Sequence, residues 1–126
     1  MNRYDIARVV AGLIVVLIGL AIGVGSFQLR DGKPLSWPDI VADDSTVRIT
    51  AGAMAVVAAV LVVAGAAAIF ALGWGYAAAM IAIGVFVVGG FWANYVLFAD
   101  LRPIHTVPNV IVAALVIWLL WLGYSR

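Results

Sequence analysis

The chain has no cysteine and no glutamate, and only one histidine among its 126 residues. The absence of cysteine excludes disulfide scaffolds, thiolate metal sites and iron–sulfur clusters. Charged residues make up 10% of the chain, whereas soluble domains carry about 25%. Hydrophobic residues make up 67%, so most of the surface must face lipid. This composition excludes soluble enzymes, and a net charge of +1 makes nucleic acid an unexpected partner.

The few charges divide the chain into membrane spans. They leave uncharged segments of 21 residues after Arg8, 51 residues after Arg48 and 23 residues after Arg102. One helical crossing needs about 20 residues, so the middle segment must cross twice and turn at Gly73-Trp74-Gly75. The predicted spans are residues 9–27, 48–72, 76–98 and 107–124, in one domain.

The spans lack the alternating pattern of barrel strands, so an all-α bundle of four transmembrane helices is expected. Residues 44–46 offer N-cap side chains before the second span, and Thr106 with Pro108 would begin the fourth. In the first loop, residues 28–47, the segment Ser36-Trp37-Pro38-Asp39 predicts a short interfacial helix that either tethers two spans or docks a partner.

The orientation of the chain is read from its basic residues. Lys and Arg outside the membrane number three on one side and four on the other, which gives no clear bias. Because Arg3 and Arg8 directly precede the first span, we expect both termini in the cytoplasm of a bacterial plasma membrane. The first span is too long for the usual apolar region of a signal peptide and is expected to be retained.

Small residues form smooth faces along three spans. Gly12, Gly19 and Gly23 share one face of the first helix at spacings of seven and four. The other candidates for helix packing are Ala51, Ala55 and Gly84. Such faces allow close helix contact, either inside the bundle or with a partner subunit; a hetero-complex is favoured and a homo-oligomer is the alternative.

The polar candidates lie near one membrane surface. Asp100, Arg102 and His105 form the only cluster whose side chains could take part in a reaction. The cluster has too few ligands for a metal and no adjacent nucleophile. A haem held between helices would need a second axial ligand, and no histidine lies inside any span. We therefore expect no catalysis, no metal and no cofactor. Contact with lipid or a partner is expected at five residues: Trp37, Trp92, Asn94, Arg102 and His105.

No acidic residue, lysine, arginine or histidine lies in the interior of a predicted span, which argues against an ion or proton transporter. The long first loop, the Gly-Trp-Gly turn and the segment Phe91-Trp92-Ala93-Asn94-Tyr95 resemble small four-span bacterial membrane proteins, the DoxX-like and related uncharacterised families. The richness in Ala, Val and Gly also resembles that of proteins from GC-rich bacteria. The resemblance implies an accessory subunit of a respiratory or lipid-import assembly and carries over no site residue.

The sequence thus leads to two functional hypotheses. The first is a non-catalytic accessory or stabilising subunit of a larger bacterial membrane complex. The alternative is a membrane protein that binds or transfers a lipid or small hydrophobe near Trp92, Asn94, Arg102 and His105. In both, membrane lipids are direct partners.

Overall fold

The fold is seen in a computed structural model that describes residues 2–30, 40–101 and 103–125. It has four helices: α1 (Arg3–Arg30), α2 (Asp44–Ile69), α3 (Gly75–Phe98) and α4 (Pro103–Tyr124). The described residues contain no strand. Each helix is long and apolar enough to cross a membrane. The predicted four-span helical fold is confirmed, and the chain is a multi-pass membrane protein.

The helices form a bundle in which each one packs against two neighbours. α1 contacts α2 and α4, α3 contacts the same two helices, and the α1–α2 contact is the most extensive. Because Gly123 near the end of α4 packs against Arg8 near the start of α1, both termini lie at one end, called the terminal end here. The opposite end, where α1 and α3 finish, is called the loop end.

The core contains many small side chains. Ala11, Ala64, Ala82 and Ala113 bring one alanine from each helix into a single buried cluster. Leu61, Ile83 and Leu120 fill the spaces between the helices and are fully buried. Alanine lets helix backbones approach closely, so van der Waals contact can hold the bundle where lipid provides no hydrophobic driving force.

α1 begins earlier than the predicted span at residue 9 because a polar cap, rather than the lipid boundary, starts the helix. The Asn2 Oδ1 atom accepts hydrogen bonds from the backbone N–H groups of Tyr4 and Asp5, each at 3.0 Å. These contacts satisfy donors that have no partner inside the helix. The first turn of α1 therefore includes Arg3 and Asp5.

α2 also starts differently from the prediction, which placed its cap at residues 44–46. The cap is Asp43, whose carboxylate accepts a hydrogen bond from the backbone N–H of Thr46 at 2.8 Å. At its other end α2 stops at Ile69 rather than at residue 72. Ala71 takes the left-handed conformation with φ 59°, and the Leu72 N–H donates to the Ala67 carbonyl at 3.0 Å, which closes the helix.

The α2–α3 turn was predicted to depend on glycine flexibility, but its left-handed residue is Ala71. Gly75 serves a different purpose. A methyl group there would lie 3.0 Å from the Ala67 carbonyl oxygen and 2.7 Å from the Tyr124 hydroxyl. Gly75 is thus required for close packing at the terminal end, where the rings of Tyr76 and Tyr124 also meet edge to face.

α4 begins at Pro103, a residue whose missing N–H costs nothing in a first turn. The prediction that Thr106 and Pro108 start this helix was wrong, because both lie inside it. The predicted start of the interfacial helix, residues 36–39, lies outside the described residues. Its predicted continuation through Ile40 and Val41 is wrong, because these two residues are not helical. The backbone N–H groups of Val41 and Ala42 donate to the Leu97 carbonyl at 2.8 and 3.3 Å.

Candidate functional site

A pocket of about 280 Å³ opens at the loop end of the bundle. All four helices contribute to it, and α3 supplies most of its wall. Its volume is close to the lower end of the ~300–1,000 Å³ typical of small-molecule sites. The pocket exists because Gly89 and Gly90 of α3 have no side chains where larger residues would fill the space; a methyl group at Gly89 would meet nothing within 4 Å.

The polar side chains of the pocket come from two facing helices. Asn94 lies near the end of α3, and His105 and Asn109 lie one turn apart at the start of α4. The Asn94 Nδ2 atom donates to the Gly90 carbonyl at 2.7 Å. The Asn109 Nδ2 atom also faces Gly90, because it would lie 3.4 Å from a methyl group built there. The two amides therefore approach the same turn of α3 from two helices.

The rest of the lining is apolar. Residues 97–98 of α3 line the pocket at the loop end, and another apolar part lies deeper in the membrane. Ile22 of α1, Val57 of α2 and Phe86 of α3 form this part. Phe86 precedes Asn94 by eight residues in one helix, which separates them by about 12 Å along the axis. The pocket thus changes from amide groups near the membrane surface to hydrocarbon toward the membrane centre, and no charged side chain of the described residues lines it.

The structure brings together three of the five residues expected to contact lipid or a partner. Trp92, Asn94 and His105 all line the pocket, and Trp92 remains 45% exposed. The other two, Trp37 and Arg102, lie outside the described residues. Sequence reasoning did not assign Asn109 or Gly89 to the site. The four-residue spacing of His105 and Asn109, which places both on one helix face, was the available signal.

The predicted packing glycines of α1 lie against α2 of the same chain. A methyl group at Gly12 would be 2.7 Å from the Gly65 carbonyl oxygen, and one at Gly65 would be 2.7 Å from the Gly12 carbonyl oxygen. At Gly19 a methyl group would be 2.9 Å from the Ala58 carbonyl oxygen. The backbones of α1 and α2 therefore touch along this face, which is not available to another protein.

The other predicted packing residues have different surroundings. Gly23 is half-buried, and a methyl group there would make an ordinary 3.7 Å contact with Ala58. Ala51 is buried beside Leu97 at the loop end. Ala55 and Gly84 are exposed, and a methyl group at Gly84 would meet nothing within 4 Å. These two residues face outward from the bundle.

Arg8, which the sequence suggested was only a boundary charge, is buried at the terminal end. One guanidinium nitrogen donates to the carbonyls of Ala68 and Ile69 at 2.7 and 2.6 Å. The other lies 3.4 Å from the Asp5 carboxylate. Carbonyls in the last turn of a helix lack intrahelical donors and carry partial negative charge, so this cation stabilises the end of α2.

Two further observations concern electrostatics and metals. The hydrogen bond from the Thr46 N–H lowers the pKa of Asp43 below its ordinary value, because it stabilises the carboxylate form. Within the described ranges no three His, Asp or Glu side chains gather closely enough to hold a metal ion. That the chain needs no metal or cofactor stays a prediction.

Comparisons with protein families, with curated proteins and with solved structures found no match to this chain. The resemblance to DoxX-like proteins therefore stays a prediction.

Proposed function

We propose that this protein binds a lipid or another small hydrophobic molecule in the loop-end pocket, without catalysing a reaction on it. The observation that carries the proposal is the pocket itself, in which two facing amides border a deeper apolar cavity. A binding site for a small molecule usually has such a composition, with apolar walls and a few polar groups that fix orientation.

Dispersion contacts with the pocket walls favour a bound molecule. A cavity between apolar helices loses the dispersion contacts that its walls would otherwise make. Lipid is the solvent around these helices, and the pocket is partly open to the outside. An acyl chain that enters between Val57 and Phe86 would regain those contacts without burying a charge. The occupied pocket is therefore the more favourable state in a membrane.

Two substitutions on α3 provide a matched test. Gly89→Leu places a side chain in the open space of the pocket, whereas Gly84→Leu places the same side chain on the outer surface. Both changes add similar helix propensity. After mild extraction, native mass spectrometry should show a bound lipid on the parent chain and on Gly84→Leu. Filling the site should reduce occupancy roughly tenfold or more in Gly89→Leu.

Equal lipid retention by Gly89→Leu and the parent chain would count against the pocket as the binding site. So would equal loss in the two leucine variants, because the effect would then belong to the added side chain rather than to its place. Thermal unfolding of each variant in the same detergent checks that both remain folded.

A second candidate function is that of an accessory subunit in a larger membrane complex. It is favoured by a shallow apolar groove of about 360 Å³ on the outer side of α2 and α3, which includes Ala59 and Ala78. Gly84 and Ala55 add further small residues to the outer surface. Small outward residues allow a helix of another subunit to approach closely.

The same variants distinguish the two functions, because a subunit interface predicts the opposite pattern. Gly84→Leu should then release a co-purifying polypeptide while Gly89→Leu retains it. A parent chain that purifies from its native membrane without any polypeptide partner contradicts the accessory role. For either function we propose a bacterial plasma membrane location with both termini in the cytoplasm, supported by Arg3 and Arg8 before α1.

A further inference from the structure

We propose that the molecule bound in the loop-end pocket is a nonionic amphiphile, with a hydroxyl- and carbonyl-bearing headgroup held between Asn94 and Asn109. A monoacylglycerol is a representative of this class. This inference rests on the proposed binding function and adds the chemical class of the ligand.

The described lining of the pocket carries no Asp, Glu, Lys or Arg side chain. Its polar lining among the described residues consists of Asn94, Asn109, His105 and the indole of Trp92. Taking a phosphate or carboxylate out of water requires an opposite charge or several donors. Two amides offer donors and acceptors together, which matches hydroxyl and carbonyl oxygens better than a formal charge.

The two amide side chains are placed so that one headgroup can contact both. The Asn94 Nδ2 atom already donates one hydrogen to the Gly90 carbonyl, which fixes the direction of this side chain. An amide has a second N–H and a carbonyl oxygen, and these remain for a ligand in the pocket. The Asn109 Nδ2 atom reaches the same turn of α3 from the opposite wall. A headgroup at this level would contact both amides.

The amide groups and the apolar wall of the pocket lie at different depths along the bundle. The two amides meet at the Gly90 turn toward the loop end, and Phe86, which forms the apolar wall with Val57, lies about 6 Å deeper along the α3 axis. A ligand oriented like the lipids of that leaflet would place its headgroup at the amides and its chain along the wall. The modest volume of 280 Å³ accommodates the headgroup and the first part of one chain, while the remaining chain lies in the bilayer.

The test uses a chain in which Trp92 is the only tryptophan, obtained by replacing the four others with phenylalanine: Trp37, Trp74, Trp118 and Trp121. This chain is reconstituted in phosphatidylcholine vesicles. It is titrated with 9,10-dibromostearoyl glycerol and, separately, with the lysophosphatidic acid that has the same acyl chain and glycerol. Bromine quenches tryptophan fluorescence on contact. A chain that keeps only Trp118, at the terminal end, measures quenching from the bulk bilayer.

We expect half-maximal quenching of Trp92 at a roughly tenfold lower concentration of the glyceride than of the phosphate. Asn94→Leu and Asn109→Leu should each weaken the glyceride effect roughly three- to tenfold, as expected for one lost hydrogen bond. Gly84→Leu should leave it unchanged. Because the Asn94 side chain bonds only to its own helix in the described contacts, its replacement should not unfold the protein, and Asn109→Leu supplies an independent variant.

Two results would overturn the inference while leaving the binding function in place. One is that lysophosphatidic acid quenches Trp92 at the same concentration as the glyceride or at a lower one, while Gly89→Leu abolishes this quenching. The other is glyceride quenching that neither leucine variant changes. If instead Trp92 is quenched by both probes no more than Trp118 is, and Gly89→Leu has no effect, the pocket binds neither amphiphile and the proposed function itself fails.

Discussion

Replacing Gly12 by alanine should leave the bundle less stable than the same replacement at Gly23. The two residues lie on one face of α1, but their surroundings differ. A methyl group at Gly12 would lie 2.7 Å from the Gly65 carbonyl oxygen and 2.6 Å from Cγ1 of Ile69. At Gly23 it would lie 3.7 Å from the Ala58 Cβ atom, an ordinary contact. The first change forces α1 and α2 apart, and the second does not.

The magnitude follows from two opposing terms. Alanine in place of glycine within a helix contributes about 0.8–1 kcal/mol of helix propensity, and this gain is the same at both sites. Overpacking costs about 1–3 kcal/mol, and it applies only at Gly12. The free energy of unfolding of Gly12→Ala should therefore lie about 1–3 kcal/mol below that of Gly23→Ala. Because the propensity term cancels, the difference measures the close contact itself.

The measurement is unfolding by sodium dodecyl sulfate from mild detergent micelles, followed by far-ultraviolet circular dichroism. Gly65→Ala serves as a second variant from the other side of the contact, since its methyl group would meet the Gly12 carbonyl oxygen at 2.7 Å. It should resemble Gly12→Ala. Equal stability of the Gly12 and Gly23 variants would refute the argument that the α1 and α2 backbones touch at Gly12.

Three further predictions concern the helix ends and the orientation of the chain. Arg8→Met removes the donors to the Ala68 and Ile69 carbonyls and should lower the free energy of unfolding in the same assay by about 1–3 kcal/mol; unchanged stability would contradict a role in capping α2. Asp43 has a lowered pKa, so its contribution to stability is present above the ordinary carboxyl pKa and is lost as the pH falls through the folded-state value. Asp43→Asn should remove this acid-dependent loss of stability. If the free energy of unfolding of the variant has the same pH dependence as that of the parent chain, the prediction is wrong. A cysteine introduced by Asn2→Cys, in a chain that has no other, should react with an impermeant maleimide only from the cytoplasmic side, and labelling of intact cells would contradict the orientation.

The four spans were predictable because lipid imposes a strong rule on where charges can lie. A charge at the bilayer centre costs at least about 2.5–3.5 kcal/mol, so the gaps between charges reveal the crossings. The helix ends predicted from the same rule were wrong. The first residue of a helix depends on local capping as well as on charge, and Asn2, Asp43 and Pro103 set where α1, α2 and α4 begin.

The partner of each small face was not predictable from one sequence. Gly12 and Gly84 were both predicted to pack against another helix. α2 covers Gly12, whereas a methyl group at Gly84 would meet nothing within 4 Å. A spacing of four residues identifies a face of a helix without saying which neighbour covers it. Arg8 shows the same limit, since its carbonyl partners are about 60 residues away in the chain.

The polar site was partly predictable because polar residues are rare in this chain. Asn94 and His105 stand out for this reason, and the fold brings them to one pocket. Gly89 and Gly90 were not predicted to form a binding site, since glycine is common in these spans and indicates close helix packing. Their effect is to leave volume empty, and empty volume depends on what the neighbouring helices place opposite it.

The helices are closely packed at the terminal end of the bundle and less closely packed at the loop end. At the terminal end, Arg8 caps α2 and Gly75 allows α3 to approach Ala67, so the helices are held by backbone contacts. At the loop end, Gly89 and Gly90 leave space between α3 and its neighbours. The proposed ligand would exchange without unfolding the protein if the empty pocket leaves the rest of the bundle intact. Tight packing of α1 against α2 meets this condition, because the most extensive helix contact in the bundle does not depend on the pocket being filled.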